Sequence, residues 1–404
     1  MEEMLKFDLP KNQSSIIKVL GVGGGGSNAV SHMFEQGIQG VDFIICNTDA
    51  QSLESSSIPT KIQLGSKGLG AGSIPEVGRE AAVENIEDLK RILEKNTKML
   101  FITAGMGGGT GTGAAPIIAQ AAKELDILTV GIVTIPFSFE GRKRKMQAES
   151  GIEELRNYVD SLLIICNDKL REVYGDLKLS EAFQRADNIL TVAAKGIAEI
   201  ITVTGYINVD FEDVKTVMKN SGTAIMGSAV AEGENRSIKA VEEALSSPLL
   251  NDNQIKGSAN ILLYIASGDE EITMDEVTEI TDYIQQEAGQ NAEIIWGNGK
   301  DSSLGNKISI TLVATGFNTD RSVKFAEPSA RKVHKLTIGP KDDKSKTKPL
   351  ITEPISEITL IKTGDSSQDT SSEEHPKEKI PAKDPVKEVQ STISFSNDTI
   401  KVIS

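Results

Sequence analysis

Residues 104–113 read A-G-M-G-G-G-T-G-T-G. The apolar run Met99-Leu100-Phe101-Ile102-Thr103 leads in, and the small-residue stretch 114–122 leads out. Strand, glycine turn and helix in that order suit phosphate binding. Glycines let backbone N–H groups wrap an anion, and a helix N-terminus adds partial positive charge. Thr110 and Thr112 can add hydroxyl donors. The turn has no Lys, so it is not the G-x-x-x-x-G-K-[ST] loop of common P-loop enzymes. A merely flexible turn is the alternative, but so many adjacent glycines carry a heavy entropic cost without a ligand. A second glycine loop, residues 23–26, follows the apolar run 16–22 and opens a helix to about Glu35. A third glycine-rich segment spans residues 65–72. For hydrolysis no Lys or His in these loops is placed to activate water, and His334 and His375 lie beyond the apolar part of the chain. Asp210 and Asp213 are the better candidates for orienting water. The same D-x-x-D spacing also reads as a helix N-cap with a carboxylate three residues on, and the residues alone put the cap first.

The elements that must position these residues follow from hydrophobic pattern. Strands are expected at 16–22, 41–46, 99–103, 128–135 and 162–166, alternating with helices. One such helix starts near residues 73–76 and carries Val77, Ala81, Ile86, Leu89, Ile92 and Leu93; another covers 147–158. This alternation predicts a parallel sheet covered on both faces, with ligands at the carboxyl ends of its strands. Residues 179–204 form one long helix, apolar on nearly all sides, which must be packed between two bodies. Beyond it, helices at 211–219, 237–244 and 274–286 and strands at 222–232, 261–267, 292–296 and 307–315 make an α+β domain of about 110 residues. Residues 341–387 are too polar to bury a core and are expected to be disordered. Residues 391–404 regain Ile393, Phe395, Ile400, Val402 and Ile403 and read as a frayed end or a peptide that orders on a partner.

Bulk composition narrows the function. In 404 residues there are 58 Asp and Glu against 43 Lys and Arg, a net charge of −15. That balance argues against nucleic-acid binding. The two cysteines, Cys46 and Cys166, end apolar runs and read as buried strand residues, with no disulfide framework or metal site. No signal pattern opens the chain and no apolar run approaches roughly 18 residues. The expectation is a soluble cytoplasmic protein with no direct membrane insertion.

The motifs together resemble the tubulin/FtsZ family of GTPases. They are G-V-G-G-G-G-S-N-A-V at 21–30, N-T-D-A-Q at 47–51, G-L-G-A-G at 68–72, G-G-G-T-G-T-G at 107–113 and P-F-x-F-E-G-x-x-R at 136–144. A-D-N at 186–188, N-V-D-F-x-D-V at 208–214 and A-T-G-F at 314–317 continue the series. The resemblance covers about residues 16–317, in order. It implies a flexible N-terminus (1–15), a Rossmann-like α/β parallel-sheet GTPase domain (16–178), a long central helix (179–204) and a smaller α+β C-terminal domain (205–318). A disordered linker (319–390) and a tail peptide (391–404) complete the chain.

It also implies a GTP/GDP site lined by Gly24, Gly25, Gly26, Ser27, Asn28, Ala71, Gly72, Gly108, Gly109, Thr110, Gly111, Thr112 and Gly113. Glu140, Arg144, Asn167, Phe183 and Asp187 would contact the same nucleotide. Mg2+ would be held through phosphates and water rather than by a protein metal site. Phe183 and Asp187 are four residues apart and share a helix face. A ring there can stack on a purine, and a carboxylate can accept the N1 and N2 protons of guanine. Taken alone, they read as core packing and solvated surface. Arg144 lies in the run R-K-R-K at 142–145, a solvated patch or a phosphate neighbour. In the family, the loop holding Asn208, Asp210 and Asp213 enters the pocket of the next subunit, so that hydrolysis and head-to-tail filament assembly are one mechanism.

The implied function is a polymerising GTPase of the midcell division ring, beneath the membrane, whose tail meets membrane-tethering and division-regulator proteins. The chain departs from the family pattern at Ala229 and Ile135, and residues 391–404 lack the usual D-x-P-x-F docking peptide. Two alternatives stand. Gly21-x-Gly23-x-x-Gly26 with Asp42 nearby fits an NAD-dependent oxidoreductase. A filament protein that binds nucleotide without turnover is the other.

Overall fold

The computed structural model describes residues 14–38, 40–175, 177–203, 205–246 and 255–317. The expectations for the linker, the tail peptide and residues 1–13 lie outside them.

Six parallel strands form the first half. They are β1 (Ile17–Val22), β2 (Val41–Asn47), β3 (Thr60–Gln63), β4 (Met99–Gly105), β5 (Leu128–Ile135) and β6 (Ser161–Cys166). Their spatial order is β3-β2-β1-β4-β5-β6. This is the doubly wound order whose switch point lies between β1 and β4. Register aligns the carboxyl ends: Val22 sits beside both Cys46 and Ala104, Gly105 beside Thr134, and Ile135 beside Cys166. The turns leaving these strands therefore converge on one pole. Strand side chains alternate between two cores. Val19 and Phe101 face α1 (Gly23–Glu35) and α8 (Leu179–Thr202). Leu20 and Ile102 face α4 (Ile86–Leu93), α5 (Thr110–Glu124) and α6 (Arg142–Arg156), where α3 (Pro75–Glu84) also packs.

The second half continues the same sheet. The first three residues of β7 (Gly222–Ala231) pair in parallel with β6, through Ser161↔Gly222 to Leu163↔Ala224. From Ile225 the strand turns to antiparallel pairing with β10 (Ile308–Thr315). Next come β8 (Asn260–Ser267) and β9 (Glu293–Lys300), giving ten strands in one sheet. The helices α10 (Arg236–Leu245) and α11 (Met274–Ala288) cover one face. Arg236 joins them, buried, with Glu276 carboxylate oxygens at 2.7 and 3.2 Å. It also donates to the carbonyls of Glu271 and Asn306, which satisfies a charge that burial would otherwise penalise.

The helix α8 is about 36 Å long at 1.5 Å per residue. It starts near the strands' carboxyl ends, where Phe183 meets Phe137 just past β5. It ends near their amino ends, where Thr202 abuts Gly40 ahead of β2. Midway, Gly196 touches Thr311 and Met226, so its far side rests on β10 and β7.

Several expectations are corrected. Residues 23–26 are the first turn of α1, not a loop, because Gly23 makes the whole bend out of β1 at φ +70°. The helix expected from 73 to 93 is two, α3 and α4. It breaks at Asn85, whose Oδ1 accepts the Gly65 N–H at 2.7 Å. The helix expected at 147–158 begins at Arg142. Cys46 is buried, but Cys166 is partly exposed at the strand end. Three elements had no strong pattern: α2 (Ala50–Glu54), the short polar β3, and the charged α7 (Asn167–Tyr174).

Candidate functional site

Two glycine-rich helix starts meet at the carboxyl pole. At α1, Gly24, Gly25 and Asn28 are exposed, while Gly26 and Ser27 are buried. At α5, Gly108 is half-buried and Gly109, Thr110, Gly111, Thr112 and Gly113 are buried. A Cβ placed on Gly24 or Gly108 would meet nothing within 4 Å. These two line open space. The others are packed by the chain itself. A Cβ on Gly26 would lie 2.3 Å from the Thr103 carbonyl oxygen, and one on Gly113 1.8 Å from that of Pro75. The Ser27 Oγ is buried with no hydrogen-bond partner. A buried hydroxyl left unpaired is costly, and a phosphate oxygen at this helix start would satisfy it.

The hydroxyls of the α5 turn are engaged. Thr112 Oγ1 accepts the Gly107 N–H at 2.8 Å and fixes the turn at Gly107, where φ is +94°. Thr110 Oγ1 lies 2.7 Å from Thr48 Oγ1. The segment 68–74 leans on the same turn: a Cβ on Gly109 would be 2.7 Å from the Ala71 Cβ. Ala71 is buried and Gly72 exposed, φ +57°, with nothing within 4 Å of an added Cβ.

Beyond β5, Glu140 accepts both the Phe137 N–H at 3.0 Å and the Arg144 guanidinium at 2.7 Å. Phe137 is edge-on to Phe183 with centroids 5.4 Å apart, and stacked on Phe139 at 5.0 Å. Asn167 opens α7 with its Oδ1 buried and unpartnered. One turn along α8 from Phe183, burial pushes the Asp187 carboxyl up to about 6, opposed by the charge of His32. The buried Nε2 of His32 is itself without a partner. A carboxylate raised by burial and short of donors suits a ligand that brings N–H groups. Thr48, Phe137 and His32 were not among the expected site residues. Thr48 and Phe137 stand inside quoted motifs, but only the fold shows what they touch.

The acids lie elsewhere. Helix α9 (Phe211–Met218) is tied to the amino ends of the strands: Lys219 pairs with Asp126 at 3.3 Å, and Ser161 Oγ donates to the Met218 carbonyl at 3.1 Å. Strand β5, about 26 Å at 3.3 Å per residue, separates that pole from the glycine turns. Asp210 and Asp213 cap α9 reciprocally. Asp210 Oδ1 accepts the Asp213 N–H at 2.9 Å, and Asp213 Oδ2 accepts the Asp210 N–H at 3.1 Å. Exposed Asn208 accepts the Gly205 N–H at 2.6 Å. The cap reading holds in the folded chain. The second oxygen of each acid stands outside the capping box.

Asp42 is not a ribose acid. It occupies the amino end of β2, paired with buried Lys18 at 2.9 Å, at the opposite end of the strand from the glycine turns. Among the described residues no group of three or more His, Cys, Asp or Glu could hold a metal ion. No helix among them is long and apolar enough to cross a membrane.

Comparison with known proteins agrees with the fold. Residues 16–175 match the model of the Tubulin/FtsZ family, GTPase domain, and residues 222–318 that of the FtsZ family, C-terminal domain. The chain is 48% identical over 325 residues to the cell division protein FtsZ of Porphyromonas gingivalis, covering 79% of this chain and 71% of that one. It is 49% identical over 329 residues to that of Azotobacter vinelandii, covering 80% and 83%. An empty FtsZ dimer of M. jannaschii superposes with a TM-score of 0.70 at 41% identity, covering 76% of this chain and 89% of that one.

Proposed function

This chain belongs to the tubulin/FtsZ family, and on that premise we propose how its residues divide the work. The protein is a GTPase and a cytoskeletal cell-division protein that forms filaments. The oxidoreductase and the turnover-free alternatives fall with that assignment.

In our reading the phosphates lie between the two helix starts, against residues 24–28 and 108–113, where backbone N–H groups and helix dipoles face an anion. Ser27 donates its orphaned hydroxyl there. Ala71 and Gly72 close one side, and Arg144, braced by Glu140, offsets phosphate charge. Asn167 offers its unpaired amide oxygen. Phe183 stacks on the base, and Asp187 accepts the guanine N1 and N2 protons. Mg2+ would accompany the phosphates and offset their charge, with no ligand group of three or more His, Cys, Asp or Glu among the described residues to hold it.

One observation carries the assignment of hydrolysis: the acids and the glycine turns stand at opposite poles of one sheet. A single chain cannot bring them together. A second copy stacked head to tail places its Asn208, Asp210 and Asp213 over the first copy's phosphates. The uncapped oxygens of the two acids then accept hydrogen bonds from water and orient it for attack. Repetition of a contact that does not close yields a filament. Assembly at midcell, with residues 391–404 meeting tethering and regulatory proteins, completes the proposal.

The test is phosphate release from GTP against protein concentration, with light scattering in parallel and ATP as control. Release per molecule is expected to begin above a threshold that scattering shares. A rate per molecule independent of concentration would place the whole site in one chain and overturn the shared assignment.

A further inference from the structure

Thr48 follows β2 and belongs to neither the α5 turn nor the glycine-rich segment 68–72, yet it bonds to both. It is buried, 4% exposed, and its Oγ1 lies 2.7 Å from the Oγ1 of Thr110, the first residue of α5. Its carbonyl accepts the Gly70 N–H at 3.0 Å. The next rung runs from the Ala50 N–H to the Gly68 carbonyl, also 3.0 Å. Between these rungs Leu69 projects outward, 88% exposed, at the pole of the glycine turns.

We propose that Thr48 is a positioning residue that aims the Thr110 hydroxyl at the phosphate. The inference rests on the placement of the phosphate at Thr110. A hydroxyl has one proton and two acceptor sites. In the Thr48–Thr110 pair either oxygen can donate. Once Thr110 gives its proton to a phosphate oxygen it can only accept from Thr48, so the Thr48 proton has one direction. The anion thereby fixes the direction of both protons, in a pair whose Thr48 backbone is held by the rung to Gly70. Without the Thr48 hydroxyl, Thr110 loses its brace and a buried oxygen loses its donor.

The experiment uses the full chain below its assembly threshold and measures affinity for fluorescent GTP by anisotropy. Thr48→Val is expected to weaken binding about five- to tenfold, the scale of one lost buried hydrogen bond. Thr48→Ser, which keeps the hydroxyl, is expected within about twofold of the parent. If T48V does not fold, as circular dichroism would show, Thr48→Ala carries the same expectations. Equal GTP affinity in T48V and the parent overturns the proposal. So does equal weakening in T48V and T48S, the mark of packing alone. Thr110→Val separates the two layers: unchanged affinity in T110V means the phosphate placement itself is wrong, whereas weakening in T110V with none in T48V removes only Thr48.

Discussion

Asp213 caps α9, and the second duty proposed for it can be separated from the cap. Its Oδ2 caps α9, while its second oxygen is the one assigned to water. Asp213→Asn keeps a capping oxygen and removes the charge. Urea denaturation should find it within about 0.5 kcal/mol of the parent, while phosphate release falls about a hundredfold. Asp213→Ala should lose about 1 kcal/mol as well as turnover. Asp187 allows a pH test. Its folded value of about 6 exceeds its ordinary 3.8, so between those values the folded chain holds a proton that the unfolded chain has released. Stability of the nucleotide-free protein must therefore fall as pH rises from about 4 to 6. Asp187→Asn should flatten that slope and stabilise the free protein at pH 7.5 by roughly 1–2 kcal/mol. In the parent, GTP binding should tighten as pH rises through 6, because guanine protons favour the carboxylate. Thermal melts and GTP titrations from about pH 4.5 to 7.5 check both.

At the scale of elements, the glycines sort by what surrounds them. Gly113→Ala would drive a Cβ onto the Pro75 carbonyl and pry α3 from α5, a clash that should cost more than about 3 kcal/mol or prevent folding. Gly24→Ala meets only open space. It should fold like the parent, with a melting temperature within about 2 °C, yet bind GTP at least about tenfold more weakly, since the methyl occupies the cradle. A calorimetric melt with and without GTP distinguishes the two. In the sequence both are simply glycines of a rich run. Most strands and helices were legible because apolar period reports burial directly. Helices α2 and α7 and strand β3 were not, because they are short and mostly polar and are held by their neighbours. The break between α3 and α4 was equally hidden, since it depends on Asn85 reaching Gly65, twenty residues earlier.

Among the described residues one ten-stranded sheet has the glycine turns at one pole and Asp210 and Asp213 at the other, joined by α8 running antiparallel to the strands. The proposed division of labour between copies predicts complementation. Asp213→Ala and Gly24→Ala chains should each release little phosphate alone. Mixed, they should recover it, because an intact phosphate cradle on one copy then meets intact acids on the other. No recovery in mixtures that scatter light would mean that the acids serve their own chain's pocket.

Residue types and spacing alone determined the glycine turns, the strand–helix alternation, the long helix and the ordered motifs that carry the family, since each is written in a contiguous stretch. Tertiary structure decided the rest. That Asp42 pairs with Lys18 far from the turns, that Thr48 reaches Thr110, that Ser27 and Asn167 keep unpaired polar atoms, and that the acids stand a full strand length from the glycine turns are facts of register and packing. They depend on which end of a strand a residue occupies and on what a distant segment lays against it, and no local pattern encodes either.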